Sequence, residues 1–139
     1  MTGVQTCALP IYDVVRSFGE WPYAGKKVFI ATHRSLEPMS DEQAIEGNFP
    51  EIIEKLIASG VKSVYIDGGE LISAALQFKL LDQLTVSVVP TLLGKGVPLF
   101  KNLQDPINLE TVEVQCFDSG LVQMTYEPRP LKSQSQSKR

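Results

Sequence analysis

The sequence predicts an α/β fold whose sheet is parallel early and closes in an antiparallel hairpin. Three observations carry that expectation. The four consecutive apolar residues Val28-Phe29-Ile30-Ala31 read as a strand buried on both faces, as strands of parallel sheets are. Phe49, Ile52, Ile53, Leu56 and Ile57 recur at helical spacing and link that strand to a second apolar one, Val64-Tyr65-Ile66, as a crossover helix does. Val112, Val114 and Cys116 alternate with Thr111, Glu113 and Gln115, and after a turn at Asp118-Ser119-Gly120 the alternation resumes in Val122, Met124 and Tyr126.

Taken in order, residues 1–11 place no Lys or Arg ahead of a short apolar part, a poor signal peptide. They read as a non-native leader. Tyr12, Val14, Val15 and Phe18 fit a short helix ended by Gly19, and Trp21-Pro22-Tyr23-Ala24-Gly25 is a turn with aromatic anchors. The strand Lys26 to Ala31 follows, then an acidic, irregular stretch with a weak edge strand around Gln43 to Glu46. Asn48 is placed to cap the next helix, with Pro50 in its first turn and Gly60 as its stop. Beyond the strand at Val64, a helix is expected from Glu70 to about Gln83 and a strand over Leu84 to Leu93, with Thr85 and Ser87 alternating against Val86 and Val88. Gly94 to Pro98 is a glycine-framed loop ahead of the apolar anchor Leu99-Phe100. The domain then runs from Tyr12 to Glu127, and residues 128–139 read as a disordered polar tail.

Composition narrows the function. The 139 residues allow one domain, and 43% hydrophobic with 21% charged residues is ordinary for a globular chain. No apolar run is long enough to span a bilayer, so no membrane is expected as a partner. The net charge is −3, but four of the 13 basic residues lie in the last eleven positions; without them nine basic stand against 16 acidic residues. Such a body lacks the basic face that a nucleic-acid binder needs. Cys7 and Cys116 form no metal or disulfide pattern and suit a reducing, cytoplasmic compartment.

Two stretches carry chemistry. The strand at Val64 stops at Asp67-Gly68-Gly69 and turns straight into the helix at Glu70-Leu71-Ile72. A helix's first turn leaves backbone N–H groups unpaired and partially positive, and residues without side chains let a phosphate approach them. A glycine pair at such a corner can equally serve only to make a tight turn, and the local sequence does not choose. The second stretch, Thr32-His33-Arg34-Ser35, follows a strand's carboxyl end, beyond which ligands bind in open α/β sheets. Arg34 offers a planar fork for a phosphate, and Thr32 and Ser35 offer hydroxyls. His33, the single histidine, can stack or donate there, although taken alone it reads as a solvated loop residue.

These motifs together resemble the dihydrofolate reductase-like family. Val64-Tyr65-Ile66-Asp67-Gly68-Gly69, the helix ending Leu81-Asp82-Gln83-Leu84, and Val89-Pro90-Thr91-Leu92-Leu93-Gly94-Lys95-Gly96-Val97-Pro98-Leu99-Phe100 are similar to the branch holding the reductase domain of the bacterial bifunctional riboflavin-biosynthesis deaminase-reductase. The similarity covers Tyr12 to Glu127 in order, and the joint occurrence of the motifs is more specific than any one. The resemblance implies a three-layer mixed sheet, mostly parallel with a C-terminal antiparallel hairpin, and a homodimer. It also implies reduction of a small molecule with NADPH, hydride passing to a pterin or to the ribosyl carbon of a pyrimidine intermediate.

Carried over by position, Gly68 and Gly69 with Asp67, Glu70, Leu71 and Ile72 resemble the pyrophosphate-binding turn, and Thr32 to Ser35 the segment receiving the adenosine 2′-phosphate. An ordinary Rossmann enzyme is disfavoured, since Asp67-Gly68-Gly69 is not G-x-G-x-x-G and Val88, twenty residues past Gly68, is not acidic. The family's first strand, its Ser-Leu-Asp-Gly-like stretch and a Gly-Arg pair before the first helix have no counterpart; Pro10-Ile11 stands where that pair belongs. The expectation is therefore a sheet missing its first strand, with exposed pairing edges. No catalytic acid is assigned; Asp67 and Glu70 are the nearest carboxylates. The alternatives are a dinucleotide-binding fragment without turnover and a structural relative whose glycines only turn the chain.

Overall fold

The computed structural model describes residues 4–129. Its ten elements run β1 (Val4–Ala8), α1 (Leu9–Arg16), β2 (Lys27–Ala31), β3 (Gln43–Ile45), α2 (Phe49–Ala58), β4 (Val64–Asp67), α3 (Gly69–Gln77), β5 (Leu84–Val88), β6 (Leu109–Cys116) and β7 (Val122–Pro128). A parallel sheet of order β3-β2-β1-β4 is followed by an antiparallel sheet of order β5-β7-β6. The α/β class, the early parallel strands and the closing hairpin are as expected.

Val4–Ala8, within the stretch expected to be a leader, is a strand that pairs with β2 on one side and β4 on the other. The inner edges of β2 and β4 are therefore paired, because a central strand satisfies the ladders of both neighbours. The expected single mixed sheet is also divided, since β5 pairs with β7 and not with β4.

Helices cover both faces of the parallel sheet. On one face Val28 and Ile30 meet Tyr12 of α1, with Trp21, Tyr23 and Leu36 packed around them. On the other, Ile52 and Leu56 of α2 pack on Ile45, with Phe29, Ala31 and Val64 beside them. The alternation of Val28 and Ile30 against Phe29 and Ala31 is the period of two that sends neighbours to opposite faces. Tyr12, Val28, Ile30 and Leu56 are each no more than 2% exposed, so the core lies on both sides of β2.

Element ends follow local chemistry. Asn48 and Glu51 form a reciprocal capping box: the Asn48 side chain accepts from the Glu51 amide at 3.1 Å, and the Glu51 carboxylate accepts from the Asn48 amide at 2.8 Å. The helix expected to reach Gln83 ends at Gln77, where Lys79 takes a left-handed φ of 57° and the Leu80 amide returns to the Ala75 carbonyl. The strand expected to reach Leu93 stops at Val88, because Pro90 has no N–H for the ladder and the Thr91 amide turns back to the Val89 carbonyl. Of the expected tail, Pro128 ends β7 and Arg129 pairs with Glu110; the remainder lies outside the described residues.

Candidate functional site

Because β1 to β4 are parallel, their carboxyl ends share one edge, and α1, α2 and α3 all begin there. The register sets Ile30 and Asp67 level with each other, each opposite Cys7 of β1. The segment starting at Thr32 and the Gly68-Gly69 corner thus leave the sheet at the same height with one strand between them, about 10 Å apart at ordinary strand spacing.

At the glycine corner, Gly68 has φ 104° and ψ 128°, a conformation only glycine adopts without strain. It precedes α3 and supplies no side-chain cap. The first N–H groups of α3 therefore lack the closure that Asn48 and Glu51 give α2. Gly69 meets a different demand. A Cβ there would lie 2.2 Å from the carbonyl oxygen of Leu99, so the chain after the glycine-framed loop rests on this residue. One turn along, buried Ser73 accepts a hydrogen bond from the Lys101 amide at 3.0 Å. Both glycines are thus required by backbone geometry, and the uncapped amides are a property beyond that.

Asp67 turns its carboxylate toward the α1 face, where the Tyr23 hydroxyl donates to it at 3.5 Å. Glu70 is exposed, while Leu71 and Ile72 are half-buried along α3. The Ile72 amide makes the first helical bond, to the Gly68 carbonyl.

Thr32 is buried and anchors its segment. Its amide extends the β2–β3 pairing by one bond to the Ile45 carbonyl, and its Oγ1 accepts from the Arg34 amide at 3.0 Å. Arg34 and Ser35 are exposed, and the His33 side chain is 82% exposed with Glu46 at 3.9 Å. Arg34 is held from α1, its Nη2 lying 3.2 and 3.1 Å from the two carboxylate oxygens of Asp13. Sequence reasoning did not anticipate that partner, 21 residues away and on a helix face with no motif of its own.

Nor did it anticipate the bond behind it. The Tyr12 hydroxyl donates to Glu42 Oε1 at 2.9 Å, and Glu42 also accepts from the amides of Met39 and Ser40. Burial, then the hydrogen bond to Glu42 and its negative charge, push the Tyr12 hydroxyl up to about 12. Burial pushes the Glu42 carboxyl up, but the amide bonds and the Tyr12 hydroxyl outweigh it and hold the group below its usual range.

Two concavities lie away from this edge. One of about 490 Å³ sits between the end of α3 and the second sheet, lined by Leu76, Ile107 and Arg129. One of about 940 Å³ lies by the amino ends of β2 and β3, lined by Lys27, Gln43 and Lys55. Neither is lined by residues 32–35 or 67–72. Among the described residues no cluster of His, Cys, Asp or Glu is placed to hold a metal ion, and no helix is long and apolar enough to cross a membrane.

Comparison with known proteins gives three kinds of match. The model of the RibD C-terminal domain family matches residues 24–123. The uncharacterised protein YyaP of Bacillus subtilis (strain 168) is 36% identical over 104 residues, 73% of this chain and 53% of that protein. The chain thus spans about half the length of that curated relative. Among solved structures, a candidate riboflavin biosynthesis protein of Shewanella sp. PV-4 superposes with a TM-score of 0.82 at 30% identity, covering 93% of this chain and 75% of the other. A diaminohydroxyphosphoribosylaminopyrimidine deaminase/5-amino-6-(5-phosphoribosylamino)uracil reductase of Thermotoga maritima gives 0.68 at 13% identity, covering 92% and 45%, a likeness of fold.

Proposed function

The chain belongs to the RibD C-terminal domain family, and from that premise we propose that it is a reductase domain of the riboflavin-biosynthesis type that binds NADPH. Its substrate is a ribosylaminopyrimidine or a pterin. The observation that carries the reading is the shared edge: the helix start at Gly68-Gly69, which has no side-chain cap, and the segment that carries Arg34 leave the sheet at the same carboxyl edge, from strands with one strand between them. A phosphorylated dinucleotide is an extended polyanion, and these are two cationic or partially positive footholds at a suitable separation.

In this reading the amides of Gly69, Glu70 and Leu71 hold the pyrophosphate, and Arg34 with Ser35 receives the 2′-phosphate. Thr32 fixes the turn that presents them, and His33 flanks it. When bound, NADPH supplies the hydride. Asp67, oriented by Tyr23, and Glu70 are the carboxylates of this edge; they shape the turn, and neither is assigned a proton transfer.

The amphipathic antiparallel sheet supports a homodimer. Val86, Val114 and Met124 lie opposite one another in the ladder and so share a face, while Thr85, Ser87 and Gln123 line the other. On this face Val114 is 57% exposed and Val86 and Met124 are half-buried, so apolar surface there stands open to solvent. A second copy can bury it.

One observation favours the alternative in which the glycines only turn the chain: the Leu99 carbonyl already rests against Gly69. Titrating the folded chain with NADPH while following nicotinamide fluorescence separates the two. Saturable enhancement supports the reductase reading, and a flat response up to millimolar cofactor sinks it. NADPH oxidation with dihydrofolate or a ribosylaminopyrimidine as acceptor then tests turnover.

A further inference from the structure

The segment that carries Arg34 is an unusual connection. β2 and β3 are adjacent parallel strands, a pairing normally joined through a helix, yet the eleven residues 32–42 between them form no helix. A crossover of this kind has few backbone bonds of its own, so its shape must be imposed from outside. Leu36 supplies one anchor by packing into the cluster of Tyr12, Val28 and Ile30. The polar anchors converge on a single side chain. The Tyr12 hydroxyl lies 2.9 Å from Glu42 Oε1 and 3.4 Å from the Glu37 carbonyl oxygen, and Glu42 gathers the amides of Met39 and Ser40. Tyr12 and Glu42 are 2% and 5% exposed, so the bond between them is buried.

The adjacent residue works on the other end of the segment. Asp13 holds Arg34 in an exposed pair, with both side chains half or more accessible. Water competes for that pair, so it fixes the guanidinium only loosely. The buried Tyr12–Glu42 bond is less open to such competition and is the stronger constraint on where the crossover lies. α1 therefore grips the crossover at two places through consecutive residues, one grip exposed and one buried.

We infer that Tyr12 and Glu42 are positioning residues for recognition of the adenosine 2′-phosphate: by fixing the far end of the crossover they hold Thr32 to Ser35, and Arg34 above all, at the carboxyl edge of the sheet. This rests on the reading of that edge as an NADPH site. Neither residue touches the ligand in this scheme; they act through the path of the chain. Their loss is then expected to weaken NADPH while sparing NADH, which lacks only the 2′-phosphate.

The test is the ratio of NADPH to NADH affinity in the unaltered chain and in Tyr12→Phe, titrated by fluorescence at a temperature where circular dichroism shows both folded. Phenylalanine keeps the ring that meets Trp21 edge-on at 6.1 Å and removes only the hydroxyl. The expected result is a preference for NADPH that falls about tenfold in Tyr12→Phe with NADH affinity unchanged. If Tyr12→Phe does not fold, Glu42→Gln, which keeps the side-chain volume and one acceptor oxygen, carries the same test. An unaltered ratio in the folded variant overturns this inference alone. An unaltered chain that binds neither nucleotide, or both equally, overturns the NADPH reading and this inference with it.

Discussion

The carbonyl oxygen of Leu99 occupies the space a Cβ of Gly69 would need, 2.2 Å from that atom's ideal position. Gly69→Ala must therefore push the 99–101 segment off α3, and overpacking of this kind costs about 1–3 kcal/mol. Urea denaturation is expected to show that loss, together with weakened NADPH binding. Ser73→Ala separates the two effects, since it removes the acceptor of the Lys101 amide in the same segment but leaves the α3 amides untouched. It is expected to lower stability with a smaller change in cofactor affinity.

Arg34→Ala removes the guanidinium proposed to receive the 2′-phosphate. Charge-assisted hydrogen bonds of about 1.5–3 kcal/mol translate into NADPH binding weaker by about 10- to 100-fold. NADH binding is expected to stay level. The lost pair with Asp13 is exposed, so stability should change by less than about 1 kcal/mol. Isothermal titration with each nucleotide reads the first effect and thermal denaturation the second.

The Tyr12–Glu42 bond predicts a stability profile that falls off at both ends of the pH scale. Glu42 is held below its unfolded value, so its contribution is complete above that value and is lost as pH falls through the folded one. Tyr12 is raised from 10.0 to about 12, so its contribution is complete below 10 and disappears as pH climbs toward 12. Glu42→Gln should flatten the acid limb and Tyr12→Phe the alkaline limb. Urea midpoints measured across pH in the three proteins check both signs, and a limb unchanged by its own substitution counts against the assignment.

For the second sheet, Val114→Asp places a charge on the apolar face shared with Val86 and Met124. A dimer formed through that face should dissociate, whereas Gln115→Asp, one residue along and on the opposite face, should leave it intact. Sedimentation equilibrium of the two variants distinguishes the outcomes.

Much of this architecture was legible in the residues themselves. The heptad-like recurrence of Phe49, Ile52, Ile53 and Leu56 with Asn48 before it specified α2, because helical periodicity and capping are written within one or two turns of chain. The hairpin from Leu109 to Pro128 was equally plain, as alternation and a glycine turn are local too. The edge at Thr32 and Gly68 followed from strands that end in polar or glycine residues. The overlong extents given to α3 and β5 had a local cause as well, since a left-handed lysine and a proline interrupt runs whose apolar pattern continues past them.

The sequence by itself determined most of the helices and strands after residue 11 and which residues crown the strand ends, because those properties depend on neighbours a few positions away. Only the tertiary structure decided that Val4–Ala8 lies in the middle of the sheet, that Asp13 holds Arg34, that Glu42 receives Tyr12 and that Leu99 rests on Gly69. Each of those joins partners about twenty residues or more apart. Which strands become neighbours leaves no imprint on local spacing, and a buried hydrogen bond is chosen by which elements happen to pack together, which is settled when the whole chain closes on its core.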